Sequence, residues 1–191
     1  MTYRPGKVFR SQAAALAGGA VIGALGSRLL PPFIAMARGS VRTMFGSDPF
    51  ELLEQDHRSI LSLLDSMEEM SDDSLTRRSA TFLAFKRSLG KHAIAEEDVV
   101  YPLLYDKAGS RDAAKRLYSE HAEMKIHMYQ IESALDAKSR WKEHVRSVHD
   151  LIRRHIRDEE EAEFPRLRAI LDEQRGKTLS GKIHREEALV L

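Results

Sequence analysis

The amino-acid sequence predicts an all-α fold, an antiparallel up-down-up-down four-helix bundle preceded by an N-terminal apolar helical segment. Three observations carry this expectation. Apolar residues recur at three-to-four spacing through four long stretches after residue 47, the period of a helix with one buried face. Strand-like alternation is nowhere evident in the chain. The connections between the four stretches are short and polar, which sets successive helices side by side in opposite directions.

The first 46 residues stand apart. They carry six basic residues (Arg4, Lys7, Arg10, Arg28, Arg38 and Arg42) and no acidic one, whereas the remaining 145 hold 24 basic and 29 acidic residues. From Ala13 to Ala37 the chain is apolar except for Ser27 and Arg28. A spanning helix needs roughly 20 apolar residues, reached here only by carrying Arg28 toward an interface. Ala15, Gly19, Gly23 and Ser27 recur every four residues, a flat stripe through which copies of the chain are expected to associate. Three readings of residues 11–37 stay open: a membrane anchor that spans or lies in the interface, a cleavable secretory signal, and an Ala/Gly-rich arm packed by protein. Membrane association is preferred, with the helical domain in the cytoplasm at the inner membrane.

The bundle occupies residues 47–175. Ser47 or Asp48 caps a first helix with Pro49 in its opening turn. Leu52, Leu53, Ile60, Leu61, Leu63 and Leu64 then give it an apolar face as far as Met70. Residues 71–74 break the pattern. Leu75, Phe82, Leu83, Phe85, Leu89 and Val99 resume it in a second helix that ends near Asp106. Past the turn at 108–112, Leu117, Met124, Met128, Ile131 and Leu135 mark a third helix. A fourth runs from Trp141 to Leu171, with Val145, Val148, Leu151, Ile152 and Ile156 facing inward. Residues 176–191 read as a polar tail with little to pack.

Composition narrows the chemistry. An apolar fraction of 42% and a charged fraction of 31% suit a helical domain with solvated outer faces. A net charge of +1 gives no footprint for nucleic acid. Cysteine is absent, which excludes disulfides, thiolate zinc sites, iron–sulfur clusters and thiol nucleophiles. Any metal must be held by nitrogen and oxygen.

One combination is spelled twice. "HAIAEEDVVYPLL" (92–104) and "HIRDEEEAEFPRL" (155–167), laid over each other at an offset of 63, share His92/His155, Glu96/Glu159, Glu97/Glu160, Pro102/Pro165 and Leu104/Leu167. The same spacing of about 63 relates His57, in the first helix, to His121 in the third, each with apolar residues four before, three after and seven after. The chain therefore reads as two helical hairpins of one design. A histidine and a glutamate four apart are rotated by only about 40° and separated by about 6 Å along the axis, so both reach one metal ion or one bridges to a second. Two hairpins converging on the bundle axis supply four imidazoles and two bridging carboxylates. That set suits two iron or manganese ions, with zinc as a substitute. Any one of these histidines alone is better read as a hydrogen-bonded interior residue. Together they are costly to bury without a metal to pair them.

At these residues the sequence resembles the hemerythrin family, in the form of its HHE cation-binding domain, over residues 48 to 173. The resemblance extends to the Glu-Glu pairs and the aromatic-Pro steps Tyr101-Pro102 and Phe164-Pro165. It implies a non-haem di-iron centre with O₂, nitric oxide or peroxide as small ligand, held by His57, His92, Glu96, His121, His155 and Glu159. Oxygen carriers of the family place another histidine four after the third-helix ligand, where Lys125 stands here. They carry the last carboxylate as an aspartate five after its histidine, where this chain has Glu160. One imidazole fewer disfavours reversible O₂ carriage and favours sensing, iron handling, or chemistry on peroxide or nitric oxide. The expectation is a metal- and small-molecule-binding protein rather than an enzyme. The alternatives are a di-iron oxidoreductase (a ferroxidase, or one consuming peroxide or nitric oxide) and a membrane-associated interaction protein with a structural metal.

Other residues receive plainer readings. Glu97 and Glu160, about 140° round the helix from their histidines, are expected beside the centre or in solvent rather than as ligands. His127 and His149 are expected at the surface, and His144 and His184 away from the site. Tyr101, Tyr118 and Tyr129 are expected to pack, although each can donate to a bound oxygen species. Pro102 and Pro165 either kink or end their helices.

Overall fold

Asp48, rather than Ser47, starts the first helix. Its carboxylate accepts the Phe50 N–H at 3.0 Å, and Pro49 takes the opening position, where a missing N–H costs nothing. A computed structural model describes residues 48–70, 74–137 and 140–190. Among these residues the protein is all-helical, without strands: α1 (Pro49–Glu69), α2 (Leu75–Ala95), α3 (Tyr101–Asp106), α4 (Arg111–Ser133), α5 (Arg140–Asp158), α6 (Phe164–Ile170) and α7 (Glu173–Leu189). Ser74 caps α2 by accepting the Arg77 N–H at 3.3 Å. After α3 the chain reverses at Gly109, whose φ of +66° favours glycine, and the Ser110 N–H reaches back six residues to the Leu104 carbonyl at 3.1 Å.

The two prolines neither end nor sharply break their helices. Glu96–Val100 and Glu159–Glu163 are π-helical turns that join α2 to α3 and α5 to α6. Each widened turn is closed by an i→i−5 bond, from the Tyr101 N–H to the Glu96 carbonyl and from the Phe164 N–H to the Glu159 carbonyl. In an α-helix the proline ring would collide with the carbonyl four residues back. One extra residue in the turn moves that carbonyl aside. It also leaves the Glu97 carbonyl, five before Pro102, without a backbone donor, and the Tyr118 hydroxyl donates to it at 2.6 Å.

Packing closes a ring of four: α1 lies against α2, α2 against α4, α4 against α5, and α5 against α1. The interior divides into two apolar clusters. One gathers Ile60, Leu64, Phe85, Met124, Trp141, Val148 and Ile152, among others, and the second is built around Phe50, Leu53, Tyr101, Leu104, Leu117, Phe164 and Leu167. The buried histidines and glutamates come between these sets along each helix: His57 between Leu53 and Ile60, His121 between Leu117 and Met124. A polar layer is thus sealed above and below by hydrocarbon.

The stretch expected as a polar tail is a helix instead. Asp172 caps α7 by accepting the Arg175 N–H at 2.8 Å, and the helix packs on α1, α2 and the first π-turn. Its buried face is Leu179, Ser180, Ile183, Glu187 and Ala188. A buried face that includes a serine and a carboxylate carries too little apolar period to announce itself. The domain therefore continues past residue 175 through α7. The apolar segment of residues 1–46 lies outside the described residues, as do its membrane and signal readings and the Ala15, Gly19, Gly23 and Ser27 stripe. No described helix is long and apolar enough to cross a membrane.

Candidate metal centre

All six residues singled out by the repeat meet in the polar layer. His57 comes from α1, His92 from α2, Glu96 from the first π-turn, His121 from α4, His155 from α5 and Glu159 from the second π-turn. All six are buried. Ligand atoms of His57, His92, Glu96 and Glu159 lie within 4.8 Å of one another, and those of Glu96, His121 and His155 form a second such set. The carboxylates straddle the two halves. Glu159 points Oε2 at His57 Nε2 (3.2 Å) and Oε1 at His155 Nε2 (3.3 Å). Glu96 Oε2 lies 3.1 Å from His92 Nε2 and 3.4 Å from His121 Nε2, with Oε1 3.8 Å from His57.

Whether these residues fit a cation can be tested on their unsatisfied atoms. His57 Nε2, His92 Nε2, Glu96 Oε1 and Glu159 Oε2 are buried without a hydrogen-bond partner. Buried polar atoms are nearly always partnered, since each orphan costs on the order of 1–3 kcal/mol. These four converge on one point with the lone pairs a cation takes. The residues fit.

Carboxylates fix the far side of three imidazoles. His57 Nδ1 donates to Glu160 at 2.8 Å, His121 Nδ1 to Glu97 at 3.0 Å and His155 Nδ1 to Glu120 at 2.7 Å. Such partners set the tautomer, so that Nε2 presents a lone pair to the centre. Glu97 and Glu160 therefore lie beside the site. Glu120 was not expected there. It sits on α4 next to His121 yet serves His155 on α5, an inter-helix contact no single-helix pattern reveals.

Protons compensate the buried acids. Burial alone would lower His57, but the neighbouring Glu159 carboxylate, the bond to Glu160 and the charge of Glu96 outweigh it and raise its pKa to about 10. His121 is likewise lowered by burial but raised to about 9 by Glu96, Glu97 and Glu159. Burial pushes Glu96 up, while His92 and His121 together hold it well below the usual carboxylate range. The cluster attracts positive charge.

Tyr101 also enters the centre. Its hydroxyl lies 2.8 Å from Glu159 Oε1, 2.9 Å from His121 Nε2, 3.2 Å from Glu96 Oε2 and 3.4 Å from His155 Nε2. The wide π-turn brings a residue five after Glu96 back to the same face, which an α-helical wheel does not predict. Tyr118 and Tyr129 are exposed. Lys125 turns outward and pairs with Glu97 at 2.9 Å. Between them, His121, Gly90, Ala93, Ile94, Met124 and Met128 help to line a cavity of about 170 Å³.

The remaining histidines are elsewhere, and one expectation is corrected. His149 is buried rather than at the surface, its Nδ1 donating to Glu68 at 2.6 Å and its Nε2 accepting from Arg153 Nε at 2.9 Å. This polar pair seals the edge of the α1–α5 contact. His127, His144 and His184 are half-buried and outside the centre.

The hemerythrin HHE cation-binding domain matches residues 48–167. The chain belongs to that family. Among curated proteins this hemerythrin-family chain is similar to a DNA nickase of Nostoc sp., 29% identical over 118 residues. That match takes in 62% of this chain but 33% of the nickase, so the chain spans about a third of that relative's length. It is also similar to an uncharacterised hemerythrin-like protein of Schizosaccharomyces pombe, 25% identical over 139 residues, covering 71% of this chain and 67% of the yeast protein. No solved structure matches significantly. Family membership carries a cation-binding site, and the His/Glu cluster is where this chain can hold one.

Proposed function

We propose that this protein holds two non-haem iron ions in an antiparallel up-down-up-down bundle and uses them to bind or sense O₂, nitric oxide, peroxide or iron itself. The observation that carries the reading is the set of four orphaned ligand atoms facing one point, with a second His-His-Glu set sharing Glu96. Bound iron would supply a redox-active Lewis acid for a small ligand. The chain's own residues do the rest. His57, His92, Glu96 and Glu159 would hold one ion, and Glu96, His121 and His155 the second. Glu97, Glu120 and Glu160 aim the imidazoles, and the apolar layers exclude water. Manganese or zinc suits the same donors.

Metal analysis and an absorption spectrum of aerobically purified protein test this. Two irons per chain and a charge-transfer band are expected, and His92→Ala or His155→Ala should remove the band. Two tightly held irons in either variant would refute the assignment.

A second reading is a di-iron oxidoreductase that consumes peroxide or nitric oxide, or oxidises Fe(II). The cavity beside His121, near Lys125, favours it by giving a substrate room. Stopped-flow turnover separates the two: no turnover above that of free iron removes the enzyme reading.

A further inference from the structure

We propose that Tyr101 is itself a metal ligand, its phenol oxygen completing the His121–His155 half of the centre; this rests on the two-ion reading above.

The internal repeat makes the case. Tyr101 and Phe164 occupy the same place in the two copies, each preceding its proline and following its π-turn. They differ by one oxygen atom. Phe164 stacks flat on His57, ring centroids 5.9 Å apart and planes 5° from parallel, and gives that half nothing to bind with. That half has four side chains able to ligate, His57, His92, Glu96 and Glu159. The other half has three, Glu96, His121 and His155. The oxygen that Phe164 lacks lies in this poorer half, and counting it gives each half four donors.

Geometry separates this from an ordinary buried hydrogen bond. A phenol has one proton to donate. The Tyr101 oxygen nonetheless lies within 3.4 Å of two carboxylate oxygens and two imidazole nitrogens, all of them atoms of the centre. The ring is fully buried and braced edge-on by Tyr118, at 5.0 Å and 83°. Tyr118 is in turn tied to the Glu97 carbonyl. Lys125 leads away from the centre to Glu97, so no other side chain of α4 makes up the shortfall.

Ligation to a ferric ion forms a metal–oxygen bond and breaks the phenol O–H, the proton passing to solvent. No electron moves. Two readouts follow that do not depend on activity. Ferric protein should show a visible charge-transfer band whose resonance Raman spectrum contains phenolate ring modes, and these modes should shift when the chain is made with ring-deuterated tyrosine. Loading should also release one proton more per chain from the wild type than from Tyr101→Phe.

The full-length chain, loaded with ferric iron and assayed for metal content, decides the matter. In support, wild type carries iron and the phenolate modes, Tyr101→Phe loses the modes, and Tyr105→Phe keeps them. Two irons per wild-type chain with no phenolate modes would overturn the ligand assignment and leave the two-ion reading standing. Absence of iron from the wild type would overturn both. Should Tyr101→Phe fail to fold, the isotope shift in the wild type distinguishes the same outcomes.

Discussion

His57, His121 and His155 each lean on a carboxylate, whereas His92 Nδ1 is buried without a partner. Those three supports are the residues to perturb without removing a ligand. Replacing Glu97, Glu120 or Glu160 by glutamine keeps the shape and weakens the acceptor, and each change should lower metal affinity by about 10–100-fold while leaving the helical content intact. Competition against a coloured chelator, with circular dichroism as control, reads the effect. Spacing disclosed the six residues that meet in the polar layer, because His-x-x-x-Glu keeps both side chains on one face of any helix. It disclosed less about their supports. Glu97 reaches His121 on another helix, as Glu120 reaches His155, and a helical wheel holds no information about neighbours. Tyr101 escaped for a different reason: its direction depends on a turn that is not α-helical.

At the scale of elements, the π-turns set where Glu96, Tyr101, Glu159 and Phe164 point. Tyr118 closes the backbone gap that Pro102 opens, so Tyr118→Phe should cost about 0.5–1.5 kcal/mol in chemical denaturation, the usual worth of one hydrogen bond. The α7 helix is attached partly through a carboxyl pair. Burial and a bond to Glu187 raise Asp56 to about 6. Glu187 is pushed up by burial but held down to about 2 by His184, Asp56 and Lys91. The signs oppose. The Glu187 contribution is present above its ordinary 4.5 and lost as pH falls through about 2. That of Asp56 is present below its ordinary 3.8 and lost as pH rises through about 6. Docking of α7 in the metal-free protein should therefore be tightest near pH 4 and loosen toward 6, read as amide exchange along Leu179–Ala188, and Asp56→Asn should flatten the upper limb. The same pair explains why the helix was illegible: part of what secures it is charge, not apolar period.

For the whole molecule, a metal that binds the folded chain and not the unfolded one adds its binding free energy to stability. A ligand at 1,000 times its Kd adds about 4.1 kcal/mol to stability, so stripping the metal should lower the melting temperature in proportion to how tightly it was held. The helical character of the core was legible because its apolar residues recur at helical spacing along each stretch. The polar layer within it was legible because the repeat occurs twice. Trp141, fully buried among Met67, Phe85 and Val145 in the same cluster, belongs to the part that needs no metal. Trp141→Ala should cost about 3–5 kcal/mol with or without added metal.

One residue sets stability against entry. Gly90 lies inside α2, where glycine costs about 1 kcal/mol relative to alanine, yet a Cβ there would meet nothing within 4 Å. Gly90→Ala should therefore harden the fold by about that amount in urea melts. The added methyl would also narrow the space beside His121, and nitric oxide or azide should reach the proposed iron centre more slowly in stopped-flow mixing. The missing side chain leaves room beside His121, and its width is adjustable one carbon at a time.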